Sequence, residues 1–215
     1  TNDEEAKQRF INEAQTASAL DHPNICNIHE IDETGDGHLF IVMSCYDGIT
    51  LRDKIREKSL NQNDIIEIAV QITEGLAIAH DHETIHRDLK PANIFLTDRG
   101  RVKILDFGLA KLTGQTNVTQ PGTTVGTVAY MSPEQIRGGD IDHRTDIWSF
   151  GVLLYEMISS QLPFPGEYEQ AIIYSILNEE PRHLRVNKSS KTNILLNIAY
   201  KCMAKDPRKR YQSAI

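Results

Sequence analysis

The feature that most constrains the fold of this chain is a long apolar-periodic segment followed at once by a crowded polar loop. Residues 61–80 read NQNDIIEIAVQITEGLAIAH, with apolar residues at positions 65, 68, 69, 72, 76 and 79. This spacing of three and four predicts an amphipathic α-helix, and the asparagine and aspartate at its start are good helix caps. Such a helix must pack its apolar face against a core.

The polar loop that follows reads IHRDLKPANIFL over residues 85–96. Asp88, Lys90 and Asn93 place a carboxylate, an ammonium and an amide in one turn-rich stretch between apolar ends. A folded chain has little reason to crowd such groups unless something charged binds among them. The next apolar run, RVKIL at 101–105, is predicted to pair as a strand with NIFL across a turn at 98–100. That pairing would bring Asn93 beside Asp106.

These side chains suit the chemistry of phosphate. Carboxylate and amide oxygens such as those of Asn93 and Asp106 are the hard ligands that Mg²⁺ takes, with water and phosphate completing its shell. Asp88 would then be free to accept a proton from an incoming hydroxyl group, while Lys90 neutralises charge on a transferred phosphoryl group. The loop therefore predicts phosphoryl transfer.

The rest of the chain predicts a mixed α and β fold. Residues 1–20 have helical periodicity, and two β-rich runs at 25–31 and 38–43 flank the hairpin turn ETGDG. A short helix should begin near Thr50. Residues 111–128 are rich in threonine and glycine and predict a long surface loop, whereas the chain from Thr145 onward predicts helices, with the helix at 145–158 the most buried.

Composition excludes some functions. The formal net charge is −7 and the sequence pI is about 5.6, which argue against a nucleic-acid binder or contact with an anionic membrane. We identify no signal peptide, and the most apolar run, at 147–158, is too short to span a bilayer. The three cysteines are widely spaced and fit reduced, partly buried thiols. We therefore expect a cytoplasmic segment without membrane contact.

Five motifs in order give the chain a specific resemblance. They are HRDLKPAN at 86–93, DFG at 106–108, GTVAYMSPE at 126–134, DIWSFGVLLYEM at 146–157 and DPRKR at 206–210. Together they resemble eukaryotic-type (Hanks-type) serine/threonine protein kinases, in particular the bacterial members. The resemblance implies an α+β kinase fold with a truncated N-lobe at 1–45 (helix C, two strands and the start of the hinge). A mostly helical C-lobe at 46–215 would hold the catalytic loop, the activation segment, helices D to H and the start of helix I.

The resemblance also assigns roles to the catalytic residues. It makes Asp88 the catalytic base and Asn93 and Asp106 the ligands of Mg²⁺. Lys90, two residues after the base, is typical of serine/threonine rather than tyrosine kinases. Thr127 would hydrogen-bond Asp88 and Lys90, and Glu13 occupies the position of the helix C glutamate.

The nucleotide side follows from the same resemblance. Met43 occupies the gatekeeper position, the backbone of Ser44 and Tyr46 would meet adenine at the hinge, and Phe95 would lie under the adenine ring. The implied cofactors are ATP and Mg²⁺, and the implied partners are proteins that carry serine or threonine. Two structural roles complete the set: Asp146 would tie down the catalytic loop, and Glu134 would pair with Arg210.

Regulation by phosphorylation is a further expectation. Arg87 and Lys111 would receive a phosphate carried by the loop at 111–128, by charge-assisted pairing. Thr123 is the first candidate, followed by Thr119 and Thr124. The alternative is a threonine-rich, solvated loop without modification.

Two alternatives stay open from the sequence. The chain as given begins at the helix C region, without the glycine-rich loop and strand lysine that kinases place before it. It therefore fits either an active kinase represented by part of its sequence or a catalytically dead module that binds a partner through its C-lobe. The intact Asp88, Asn93 and Asp106 favour the first. The histidines at 80, 82 and 86 also raise a metal site, although no further ligand completes a zinc set.

Overall fold

A computed structural model describes residues 18, 20–107, 125–184 and 190–215. The predicted first helix falls almost wholly outside these residues. The first described elements are two antiparallel strands, β1 (Ile28–Glu33) and β2 (Leu39–Met43), joined by a turn in which Gly37 has a φ of 89°. The predicted hairpin is confirmed, but its first strand begins at Ile28 rather than Ile25. Ile25 instead forms an isolated bridge with Ile104.

A short strand, β3 (Gly48–Thr50), runs directly into helix α1 (Leu51–Arg56). The Thr50 side chain accepts the Asp53 backbone N–H and so caps this helix where the sequence predicted its start. The long predicted helix is α2 (Gln62–Asp81). A reciprocal capping box between Asn61 and Asp64 fixes its first turn.

The polar loop after α2 ends in one 3₁₀ turn, Pro91–Asn93, and leads into the predicted strand pair, β4 (Ile94–Thr97) and β5 (Val102–Ile104). These strands are antiparallel, and the turn between them contains Gly100 at a φ of 76°. The order of the sheet is β3-β4-β5. The sequence did not predict β3, which extends the expected pair to three strands.

The remaining described chain is helical. Its helices are α3 (Val125–Val128), α4 (Pro133–Arg137), α5 (Arg144–Ser159), α6 (Glu169–Asn178) and α7 (Ser190–Cys202), followed by a 3₁₀ turn, Pro207–Lys209. The predicted loop at 111–128 is corrected at its end, because its last four residues form α3. Thirteen of the sixteen residues of α5 are buried, which confirms that it is the most buried of the described helices.

Close packing of α7 against α5 fixes the helices that lie beneath the polar loop. A Cβ atom on Gly151 would lie 2.5 Å from the Cys202 Cβ and 3.0 Å from the Ala199 carbonyl oxygen, so only glycine lets α7 approach this closely. The predicted pairing of Glu134 with Arg210 is confirmed, since the two terminal guanidinium nitrogens contact the carboxylate at 2.6 and 2.8 Å. The helices thus form a fixed base beneath the polar loop.

Within the described ranges, no helix is both long enough and apolar enough to cross a bilayer. Cys26 and Cys202 are buried and Cys45 is exposed.

Candidate active site

The polar loop is held to α5 by one buried carboxylate. Asp146 is fully buried, and its two oxygens accept the backbone N–H groups of His86 at 2.8 Å and Arg87 at 2.9 Å. Its Oδ2 also pairs with the His80 Nε2 at 2.9 Å. A buried carboxylate with three donors is well satisfied, and its bonds fix the backbone that leads into Asp88. The predicted contact between Asp146 and this loop is confirmed.

Strained backbone marks both edges of the site. Arg87 and Asp106 have φ values of 67° and 57°, in the left-handed region that residues other than glycine seldom adopt. The Gln135 side chain donates to the Arg87 carbonyl at 2.7 Å and holds that conformation. Such strain persists where surrounding bonds enforce it, and it is frequent at functional sites.

Four predicted catalytic residues meet in one cluster. The Lys90 ammonium donates to the Asp88 Oδ2 at 2.7 Å and to the Thr127 Oγ1 at 3.3 Å. The Asn93 amide nitrogen donates to the Asp88 carbonyl at 2.9 Å and to its Oδ2 at 3.1 Å. Thr127 therefore reaches Asp88 through Lys90. The cation and the amide together hold the Asp88 carboxylate in one orientation.

The two predicted metal ligands lie at neighbouring positions. The Leu105 N–H donates to the Asn93 carbonyl at 2.8 Å, which places Asp106 immediately beside Asn93 as the strand pairing predicted. Because the amide nitrogen of Asn93 faces Asp88, its oxygen is the atom able to bind a cation. The Asp106 side chain is exposed. One carboxylate and one amide oxygen beside open solvent fit Mg²⁺, which keeps several waters in its shell.

The three histidines of the alternative metal site each have another partner. His80 contacts Asp146, and the His82 Nδ1 lies 2.9 Å from the Ile78 carbonyl oxygen. His86 is buried, contacts the Leu105 carbonyl oxygen at 2.8 Å, and packs against Phe107 with ring centroids 4.8 Å apart. Among the described residues, no three His, Cys, Asp or Glu side chains lie close enough together to hold a metal ion.

Three of the four residues predicted to contact the nucleotide lie at the end of β2 and in the segment that follows it. The hinge, defined here as residues 44–47, joins β2 to β3. Met43 is 38% exposed and lines a small recess with Cys26, Asp106 and Phe107. The Ser44 N–H donates to the Asn27 carbonyl at 3.0 Å, and its hydroxyl contacts the His29 Nε2 at 2.8 Å.

Tyr46 and Phe95 complete the nucleotide side. The Tyr46 ring lies 5.0 Å from the Lys103 ammonium. Phe95 is half-buried in β4, opposite Thr50 on one neighbouring strand and Lys103 on the other. Lys103 therefore contacts Tyr46 of the hinge and pairs with Phe95, the residue expected under the adenine ring.

Other predicted site residues lie outside the described residues. They are Glu13, Lys111, Thr119, Thr123 and Thr124. Sequence reasoning had also missed Gln135, His80 and Lys103 as partners of the site. Each acts through a contact with a residue distant in sequence, so no local periodicity could have found it. Lys103 carried one signal, a cation in the middle of an otherwise apolar strand.

Comparisons with known proteins agree with this geometry. The sequence profile described as "Protein kinase domain" matches residues 1–214. The chain is 39% identical over 215 residues to serine/threonine-protein kinase PrkC of Bacillus subtilis, covering 99% of this chain and 33% of that protein. It is also 39% identical over 212 residues to serine/threonine-protein kinase PknB of Mycolicibacterium smegmatis, covering 96% of this chain and 34% of the relative.

The chain therefore belongs to the protein kinase family. Within that family it is a Hanks-type serine/threonine kinase domain similar to bacterial PrkC and PknB. It spans about a third of the length of these curated relatives. The resemblance inferred from the five motifs is confirmed.

Proposed function

We propose that this domain transfers the γ-phosphate of ATP to serine and threonine hydroxyls of proteins. The observation that carries the proposal is the Asp88 carboxylate, which Lys90 and Asn93 hold at 2.7 and 3.1 Å on a loop anchored in the core. A catalytic carboxylate must keep one orientation to accept a proton from an incoming hydroxyl group. The carboxylate here is fixed from two sides.

Each residue of the cluster has a distinct part in the proposed transfer. Asp88 orients the substrate hydroxyl and accepts its proton. Lys90 lies between Asp88 and Thr127 and supplies positive charge where the transferred phosphoryl group would pass. Asn93 and Asp106 would hold Mg²⁺, which would neutralise the negative charge of the phosphate groups when ATP is bound. Thr127 positions Lys90 and so links α3 to the catalytic loop.

The nucleotide would lie between the hinge and β4. The backbone of Ser44 and Tyr46 would meet the adenine edge, Phe95 would support the ring from below, and Met43 would close the back of the pocket. The small recess lined by Met43, Asp106 and Phe107 supports this placement. Glu13 would add the helix C carboxylate of the family.

Phosphorylation would regulate the domain. Arg87 precedes the base in a backbone conformation that Gln135 holds, so a phosphate paired with Arg87 would act on the catalytic loop directly. Lys111 would be the second cation. Thr123 is the preferred acceptor, with Thr119 and Thr124 as the others.

The experiment is phosphate incorporation into a generic protein substrate from radiolabelled ATP with Mg²⁺. Asp88→Asn keeps the size of the side chain and removes the base, so incorporation should fall by about a thousandfold or more. Asp98→Asn, in the exposed turn between β4 and β5, is the matched control and should be unaffected. If the wild-type protein incorporates no phosphate but retains a protein partner, the binding-module alternative replaces the proposal.

A further inference from the structure

Lys103 is a charged residue in the middle of β5, between two buried neighbours, Val102 and Ile104. It pairs directly with Phe95 across β4 and β5. Directly opposed residues of antiparallel strands share one face of the sheet. The Lys103 side chain therefore leaves the sheet on the same face as the proposed floor of the adenine site.

The ammonium group of Lys103 connects three segments that are far apart in sequence. It donates to the Ile25 carbonyl at 3.2 Å, just before β1, and it lies 5.0 Å from the centre of the Tyr46 ring in the hinge. The carbonyl and the ring face are both electron-rich, and a cation between them is stabilised by both. Lys103 thus ties β5 to the entry of β1 and to the hinge.

Cys26 supports the same junction. Its N–H donates to the Ile104 carbonyl at 2.9 Å, and its thiol lies 3.8 Å from the Ser44 carbonyl oxygen. Burial raises the pKa of the Cys26 thiol, while Lys103 and a hydrogen bond with the Tyr46 side chain oppose that rise. Cys26 is therefore an uncharged packing neighbour, and Lys103 is the cation that contacts Ile25 and Tyr46.

We infer that Lys103 is a positioning residue that fixes Tyr46, and through it the hinge backbone, for binding of an adenine nucleotide. This inference rests on the proposed function. Tyr46 is only half-buried, so its position depends on the Lys103 cation over its ring and on the hydrogen bond of its side chain with Cys26. If the ring is released, adenine binding must order the hinge, and that ordering reduces affinity for the nucleotide. The reacting groups around Asp88 do not contact Lys103 and should keep their geometry.

The test compares Lys103→Met, which keeps the length of the side chain but removes the charge, with Lys103→Arg, which keeps a cation. Lys103→Met should raise the KM for ATP and the Kd for ADP by about threefold to tenfold, with kcat and the KM for the protein substrate unchanged. The melting temperature should fall slightly, because the Ile25 carbonyl loses its donor. Lys103→Arg should stay within about twofold of the wild type. Arg101→Met, an exposed cation just before β5, is the matched control and should change neither constant.

A double variant tests whether Lys103 acts through the Tyr46 ring. Tyr46→Leu removes the ring and keeps the backbone, so adding Lys103→Met to it should weaken ADP binding by less than about twofold. The inference is overturned if Lys103→Met binds ADP as tightly as the wild type, if its effects add fully to those of Tyr46→Leu, or if kcat falls together with ADP affinity. If the wild-type protein binds no ADP, the proposed function itself fails. If the wild type binds ADP and Lys103→Met binds it equally well, only the inference about Lys103 fails.

Discussion

The catalytic loop and the hinge are held in place in opposite ways. The catalytic loop at 86–93 is tied to the central helix by Asp146, whose side chain is fully buried. The hinge at 44–47 is held by contacts near the surface. They include the exposed hydrogen bond between Ser44 and His29 and the Lys103 ammonium over the half-buried Tyr46 ring.

This difference matches the tasks proposed for the two sides. Buried hydrogen bonds are strong electrostatically and costly to break, because a lost partner leaves a polar group without water. Proton transfer at Asp88 needs a fixed geometry, and the core provides it. A nucleotide site must open and close around its ligand, and exposed anchors permit that movement at low energetic cost. The depth of an anchor should therefore predict the effect of its removal.

The largest effect is expected at the deepest anchor. Asp146→Ala leaves the buried N–H groups of His86 and Arg87 without an acceptor and removes the partner of His80. The free energy of unfolding should fall by about 3–5 kcal/mol. Chemical denaturation measures it, and phosphate incorporation should fall in the fraction that stays folded.

Asp142→Ala is the matched control for this prediction. Asp142 precedes the same helix, its side chain is 48% exposed, and it pairs with Arg144. That guanidinium holds the pKa of Asp142 below its usual range, but an exposed pair of this kind should contribute only about 1 kcal/mol. Equal losses in the two variants would break the link between burial and anchoring strength.

A pair of intermediate depth should show a pH-dependent effect. The Tyr130 hydroxyl donates to the Glu156 Oε2 at 2.5 Å, beneath the segment that carries Thr127. Burial raises the pKa of Glu156, and burial together with this carboxylate raises the pKa of Tyr130. Tyr130 therefore stays a donor at neutral pH, while the ionised form of Glu156 is disfavoured in the folded protein.

Glu156→Gln keeps an acceptor for Tyr130 and removes the charge. In the wild type the folded chain binds the Glu156 proton more tightly than the unfolded chain does. The free energy of unfolding therefore falls as pH rises from the ordinary value near 4.5 through the raised folded pKa. The variant lacks this loss, so its stability relative to wild type should grow as pH rises through that range. Denaturation of both proteins across that pH range tests the sign, and a constant difference would contradict it.

Much of the scaffold was predictable because local patterns determine it. The periodicity and capping residues of α2 and the turn between β4 and β5 carry their own signals. Strand β3 was missed because it has three residues, includes a glycine, and is fixed only by pairing with β4. The helical turn at 125–128 was likewise hidden within a segment that has no helical periodicity.

The chemistry of the candidate site was predictable from the sequence, but the contacts between residues distant in sequence were less so. Spacing alone placed Asn93 beside Asp106, since two short strands and a turn join them. The contact of Lys90 with Thr127 links residues 37 positions apart and came only from the family resemblance. Lys103 was missed because its partners, Ile25 and Tyr46, are brought to it by the tertiary fold rather than by any sequence interval.

The smallest effect is expected at the most exposed anchor. His29→Ala removes the contact between the imidazole and the Ser44 hydroxyl, which lies in water on the outer side of the hinge. Water replaces the lost partner, so the free energy of unfolding should change by less than about 0.5 kcal/mol and the KM for ATP by less than about twofold. Denaturation and steady-state kinetics beside Lys103→Met measure both quantities. A KM increase as large as that of Lys103→Met would show that the hinge depends on its surface contacts as much as on the Lys103 cation. The proposed relation between the depth of an anchor and the effect of its removal would then be wrong for the most exposed contact.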